Sequence, residues 1–146
     1  EDVGNSLYSG KAFIVFGRPA SEWPTNLNLN NFNSTEQGLA FTVQSESNLL
    51  LGTSVSQARD VNGDGVVDFL IGARGLNGDD PVDGRTYVVY GSDSFEGGDL
   101  MIEQYVSDET GKVIQGPFPG FGSQTSGGGD LNGDGTDDFL ISYGAP

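Results

Sequence analysis

The sequence predicts an all-β fold of short antiparallel strands in stacked sheets. Three observations carry this expectation. Apolar residues lack the helical period, Gly, Asn and Asp punctuate the 146 residues at close intervals with Gly alone numbering 24, and one unit occurs twice. The strands 12–16, 69–71 and 87–90 carry apolar residues at both parities. Successive side chains of a strand point to opposite faces, so such strands expect cover on both sides.

The repeat is most evident where Asp60-Val-Asn-Gly-Asp-Gly-Val-Val-Asp-Phe-Leu-Ile71 lies over Asp130-Leu-Asn-Gly-Asp-Gly-Thr-Asp-Asp-Phe-Leu-Ile141, a displacement of 70 residues. Leu51-Gly-Thr-Ser-Val-Ser56 falls on Phe121-Gly-Ser-Gln-Thr-Ser126 at the same displacement. Lys11-Ala-Phe-Ile-Val-Phe-Gly17 matches Arg85-Thr-Tyr-Val-Val-Tyr-Gly91 at 74, and Leu27-Asn-Leu29 matches Leu100-Met-Ile102 at 73. The second copy stops after its Phe-Leu-Ile strand, while the first is preceded by an orphan strand, 11–16. Joining Pro146 of one copy to Glu1 of another leaves 15 residues between Ile141 and Lys11, against 13 between Ile71 and Arg85. The expectation is a circularly permuted cut through a continuous array.

Composition narrows the chemistry. A hydrophobic content of 35% is low for one deep core, so another force is expected to help hold the chain together. With no Cys and no His, disulfides and the usual zinc, haem and iron–sulfur ligand sets are excluded, and any bound metal must be held by oxygen. Asp and Glu outnumber Lys and Arg 21 to 6, for a net charge of −15. Such a chain repels nucleic acid and anionic membranes and attracts cations. No apolar run is long enough to span a bilayer, so no membrane insertion is expected, and the first residues have no signal-peptide pattern. A start without Met suggests a processed product or an excerpt.

Each Asp-rich loop places side-chain oxygens at positions 1, 3, 5 and 9: Asp60, Asn62, Asp64 and Asp68, then Asp130, Asn132, Asp134 and Asp138. Position 7, Val66 or Thr136, can add a backbone carbonyl. Calcium takes six to eight oxygens at about 2.3–2.6 Å, and Gly65 and Gly135 at position 6 permit the turn that brings alternate groups inward. Carboxylates so gathered repel by roughly 4 kcal/mol per pair at about 4 Å and an effective dielectric near 20. A divalent ion removes that repulsion, and two Ca²⁺ sites are expected. An EF-hand is ruled out because its position-12 Glu is replaced by Ile71 and Ile141. Asn-Gly-Asp-Gly is also good hairpin-turn chemistry without any metal; the second loop with the same four oxygen positions weighs toward the ion.

The runs Leu51-Gly, Asp60-Val-Asn-Gly-Asp-Gly65 and Asp68-Phe-Leu-Ile-Gly-Ala73, with Phe121-Gly, Asp130-Leu-Asn-Gly-Asp-Gly135, Asp138-Phe-Leu-Ile141 and Gly144-Ala-Pro146, resemble FG-GAP repeats. These are the blades of integrin-α-type β-propellers and of many bacterial extracellular proteins. The resemblance implies propeller-like blades of antiparallel four-stranded sheets, with the Asp-rich hairpin joining the first two strands of a blade and binding Ca²⁺. It divides the chain into an orphan strand within 1–17 that completes a neighbouring blade, a first repeat over 18–91, and a second over 92–146 that lacks its later strand. Leu51 replaces the first Phe, Arg74 replaces the first Pro, and Ser142-Tyr143 stand as an insertion before the second Gly-Ala-Pro. None of these departures touches a proposed ligand.

Other candidates are weaker. The acidic loop 77–83 could hold a further cation or be a solvated turn. Trp23-Pro24 with Leu27, Leu29 and Phe32 could form a sugar platform, but Leu100, Ile102 and Tyr105 in the second repeat point to a packed connection. Glu46 with Glu103 or Asp108 could in principle form a glycosidase pair, although nothing marks it. Nucleophile systems built on His or Cys cannot form within the chain.

The sequence thus suggests a non-catalytic, calcium-stabilised structural and interaction module outside the cell. Its expected partners are other copies of itself, or adjoining repeats, by strand complementation, with an extracellular protein or glycan as a further candidate. An adhesion or glycan-binding module, or the accessory propeller of a secreted hydrolase, are the alternatives.

Overall fold

A computed structural model describes residues 9–44, 48–76, 82–107 and 109–144. The chain is predominantly β, in three sheets. The first joins β1 (Lys11–Val15), β2 (Gly38–Thr42) and β6 (Gly98–Met101), with β1 antiparallel and β6 parallel to β2. The central sheet is a four-stranded antiparallel meander of β3 (Leu49–Arg59), β4 (Asp68–Gly75), β5 (Arg85–Val89) and β7 (Gly111–Gln115), in that spatial order. The last is a hairpin of β8 (Gln124–Gly129) and β9 (Asp138–Ser142). Two single-turn helices, α1 (Ser34–Gln37) and α2 (Ile102–Tyr105), lead into β2 and out of β6. No helix among the described residues is long and apolar enough to cross a membrane.

Strand alternation dictates the layering. On one face of the central sheet Leu49, Leu51, Ile71, Ala73, Tyr87 and Val89 pack with Ala12, Leu39 and Phe41 of the first sheet. On the other face Ala58, Leu70 and Val88 pack with Phe139 of the last hairpin. The expectation of cover on both sides is met for β4 and β5, whereas β1 lies in an outer sheet with one face on the centre; the small apolar content is split into two thin cores. A polar seam supplements the second: Ser54 Oγ donates to the Gly122 carbonyl at 2.9 Å, and Ser56 Oγ donates to Thr125 Oγ1 at 3.1 Å. The repeated Ser and Thr of 51–56 and 121–126 meet there across β3 and β8.

The repeat is visible in register. Lys11 to Val15 pair with Thr42 to Gly38, and Arg85 to Val89 pair with Gln115 to Gly111, in the same antiparallel alignment. Gly38 and Gly111 occupy the same place in the two pairs. A Cβ there would stand 1.8 Å from the Ile14 carbonyl oxygen in one and 2.1 Å from that of Val88 in the other. The match of 27–29 to 100–102 is only partial. Residues 98–101 form β6 because β2 lies alongside, whereas Leu29–Asn31 is a 3₁₀ turn.

Replacing Leu70, which is fully buried between the central sheet and the hairpin, with Ala is expected to cost about 2–5 kcal/mol in a urea titration. Val113→Ala on the exposed side of β7 should stay within about 0.5 kcal/mol of the parent.

Candidate metal-binding loops

Loops 60–68 and 130–138 close the hairpins β3–β4 and β8–β9. Both are launched by a β-bulge, between Gln57 and Arg59 in one hairpin and Gly127 and Gly129 in the other. The last strand residue takes a left-handed conformation in each, φ 63° at Arg59 and 71° at Gly129. A bulge raises local twist and re-aims the chain; here it carries Asp60 and Asp130 out of the ladder to the head of each loop.

Inside the first loop the Asp60 carboxylate collects three backbone N–H groups. Gly63 and Asp64 donate to Oδ1 at 2.7 and 3.1 Å, and Gly65 donates to Oδ2 at 2.8 Å. Asn62 Oδ1 accepts from the Asp64 N–H at 3.0 Å, while Asn62 Nδ2 donates to Asp64 Oδ2 at 2.8 Å. Val66 N–H donates to Asp64 Oδ1 at 2.7 Å, and Val61 N–H to Asp68 Oδ2 at 2.8 Å. The second loop reproduces each bond. Gly133, Asp134 and Gly135 donate to Asp130, and Asp134 donates to Asn132 Oδ1. Asn132 Nδ2 and the Thr136 N–H donate to Asp134, and Leu131 donates to Asp138 Oδ2. Gly65 and Gly135 lie at φ 86° and 96°, where a side chain would be strained.

The two loops differ at position 9. Asp68 is fully buried, and its Oδ1 also accepts the Gly91 N–H at 2.8 Å. That bond ties the loop to the far end of β5. Burial raises the Asp68 pKa above its ordinary 3.8, the Gly91 and Val61 N–H groups oppose the shift, and nearby Asp64 and Asp60 add to it. Asp138, at the corresponding place, is only partly buried. On Asp134 the Thr136 hydroxyl, the Thr136 N–H and Asn132 hold the carboxyl below its usual range.

Chemically the donor set is all oxygen, which suits a hard divalent ion such as Ca²⁺. A carboxylate oxygen has more than one acceptor site. The N–H bonds therefore fix Asp60 and Asp130 in place without using all their capacity. Among the described residues no three acidic side chains are grouped so that they could hold a metal ion; the loop oxygens turn instead on N–H groups, those of the same loop and, at Asp68, also that of Gly91. Val66 and Thr136, expected to offer carbonyls, contribute N–H donors in this arrangement.

Two contacts were not legible in the repeat. Asp60 N–H donates to Asp137 Oδ2 at 3.2 Å, and Asp137 N–H donates back to the Asp60 carbonyl at 3.0 Å, so the loops are docked on each other. The position holding Asp137 holds Val67 in the first loop, and Gly91 lies well outside the motif; neither stands out by self-comparison. Of the other candidates, loop positions 77–81, Glu46 and Asp108 lie outside the described residues. Glu103 sits on α2, where its charge adds to burial in raising the Tyr87 phenol above its ordinary 10.0. Trp23 is partly exposed, with its Nε1 donating to the Arg18 carbonyl at 2.9 Å and the Arg18 guanidinium 5.3 Å over its ring. Phe32 meets Phe13 edge-on at 5.3 Å, and Ile102 is fully buried.

The pKa directions have opposite signs in the ion-free protein. A lowered folded-state pKa at Asp134 contributes stability above the unfolded value of about 3.9, lost as pH falls through the folded value. A raised one at Asp68 contributes stability below about 3.9, lost as pH rises through the folded value. Urea midpoints in chelator should therefore show the gap between the parent and Asp134→Ala shrinking below about pH 4. A gap constant from pH 7 to about pH 2.5 would contradict the Asp134 assignment.

No protein-family model matches the chain, and no curated protein is significantly similar to it.

Proposed function

We propose that this chain is a non-catalytic structural and interaction module of FG-GAP-like propeller blades. In this reading one Ca²⁺ in each of the loops 60–68 and 130–138 stabilises it. The observation that supports it best is the identical hydrogen-bond net in the two loops. Two segments that share the Asp-Asn-Gly-Asp-Gly-Asp pattern and differ at positions 2, 7 and 8 take one conformation, each at the tip of a hairpin and each carrying four oxygen-bearing side chains. Asp60, Asn62, Asp64 and Asp68 would hold the first ion, with the Val66 carbonyl. Asp130, Asn132, Asp134 and Asp138, with Thr136, would hold the second. The ion supplies the positive charge that the acidic loops lack. A site outside the cell fits this reading, because loops of extracellular modules bind calcium at about 10⁻⁴–10⁻³ M. The central sheet is one blade in this reading, and the first and last sheets are parts of two others. A closed propeller typically takes about four to eight blades, so partner repeats from other copies or an adjoining array complete it.

An adhesion or glycan-binding role is the second reading. It is favoured by Phe118, Tyr143 and Phe121, whose rings lie 5.5 and 6.4 Å apart around Tyr143, with Phe118 and Tyr143 exposed. A glycan array on the parent and on Phe118→Ala tests it, with loss of a bound sugar in the variant as the expected outcome.

Calcium at about a hundredfold excess over its dissociation constant should add about 2.7 kcal/mol per site, and chelator should remove it. Asp64→Ala and Asp134→Ala should each lower the stoichiometry from two ions to one in calorimetric titration. Unchanged stoichiometry in both variants would sink the reading.

A further inference from the structure

We infer that the cleft beside β1 is the docking site for the β8–β9 hairpin of a second copy of this chain, so that copies join head to tail. The inference rests on the blade reading above and names the partner and the register. The central sheet shows what a complete unit contains: β3–β4 followed by β5–β7. The first sheet supplies the equivalent of β5–β7 in its β1–β2 pair, with the same register and the same glycine at the same place. The last sheet supplies the equivalent of β3–β4, bulge and loop included. Among the described residues β1 is paired on one edge alone, by β2, and β9 on one edge alone, by β8.

The surfaces match as well as the edges. An open cleft of about 460 Å³ runs between β1 and the central sheet, lined by Phe13, Ile14, Gln57, Val67, Phe69 and Phe95. Val67 in its lining is exposed. On the hairpin, Leu140 is 53% and Leu131 65% exposed. Their repeat equivalents are Leu70, fully buried, and Val61, packed with it against Phe139. A hairpin seated in the cleft would set Leu140 on Phe69 as Leu70 is set near Phe139. The chain's own hairpin cannot fill the cleft, since it covers the opposite face of the central sheet. The pairing of β4 with β5, Leu70 opposite Val88 and Ile71 opposite Tyr87, transfers to Leu140 opposite Ile14 and Ile141 opposite Phe13.

The chain has no cysteine, so engineered thiols read this register directly. In calcium, light scattering on a sizing column is expected to give masses at multiples of 15.3 kDa that grow with concentration. Oxidised Leu140→Cys/Ile14→Cys protein should run as a covalent ladder of copies. Leu140→Cys/Phe13→Cys, one residue out of register and therefore facing opposite sides, should not. Leu140→Asp should give a folded monomer by circular dichroism. A folded monomer of the parent at millimolar concentration, or equal ladders from both cysteine pairs, would overturn the inference. Thermal melts of the same samples with and without calcium separate the two claims. A monomer that calcium still stabilises refutes docking alone, whereas loss of the calcium response refutes the reading beneath it.

Discussion

A strand with apolar residues at both parities has no face to give to water, and the architecture follows from that constraint. β4 carries Leu70 on one side and Ile71 and Ala73 on the other, and β5 carries Val88 against Tyr87 and Val89. The central sheet must therefore lie between two others. Each of those has in turn one face on the centre and one face turned away, where Leu131 and Leu140 are left exposed. Stacked sheets of this kind propagate: cover for one layer creates demand for the next. The small hydrophobic fraction is adequate because no single core has to be deep.

The acidic loops belong to the same logic from the electrostatic side. Gathering Asp60, Asp64 and Asp68 within one short loop costs repulsion, and part of that cost is met by backbone N–H groups directed at the carboxylates. Asp68 has the hardest position. It is buried, it anchors Val61 and Gly91, and desolvation pushes its pKa upward. The loop tip, the start of β4 and the end of β5 thus share one carboxylate. The bonds between Asp60 and Asp137 extend this linkage across the layers, so that the loop of the central sheet and the loop of the last hairpin hold each other.

Much of this was legible in the chain alone. The strands expected at 12–16, 69–71 and 87–90, found as 11–15, 68–75 and 85–89, the two hairpin loops and the two-sided burial of β4 and β5 follow from local pattern, because strand alternation and turn chemistry act over a few residues. The loop oxygens were legible for the same reason: positions 1, 3, 5 and 9 are read off one short segment. Gly91 and Asp137 were not, since their contacts with Asp68 and Asp60 join residues 23 and 77 positions apart. The parallel pairing of β6 with β2 was equally hidden, because nothing in Gly98–Met101 marks its distant partner.

The sequence by itself determined the all-β class, the duplicated unit and the oxygen-rich loops, for these are properties of short segments and of their recurrence. Only the tertiary structure decided which strands share a sheet, which face of each copy is covered, and that β1–β2 and β8–β9 lie on opposite faces of the central sheet. Pairing and stacking are contacts between distant residues. Identical local patterns, Leu70 and Leu140 among them, end up buried or exposed according to what the rest of the chain places beside them.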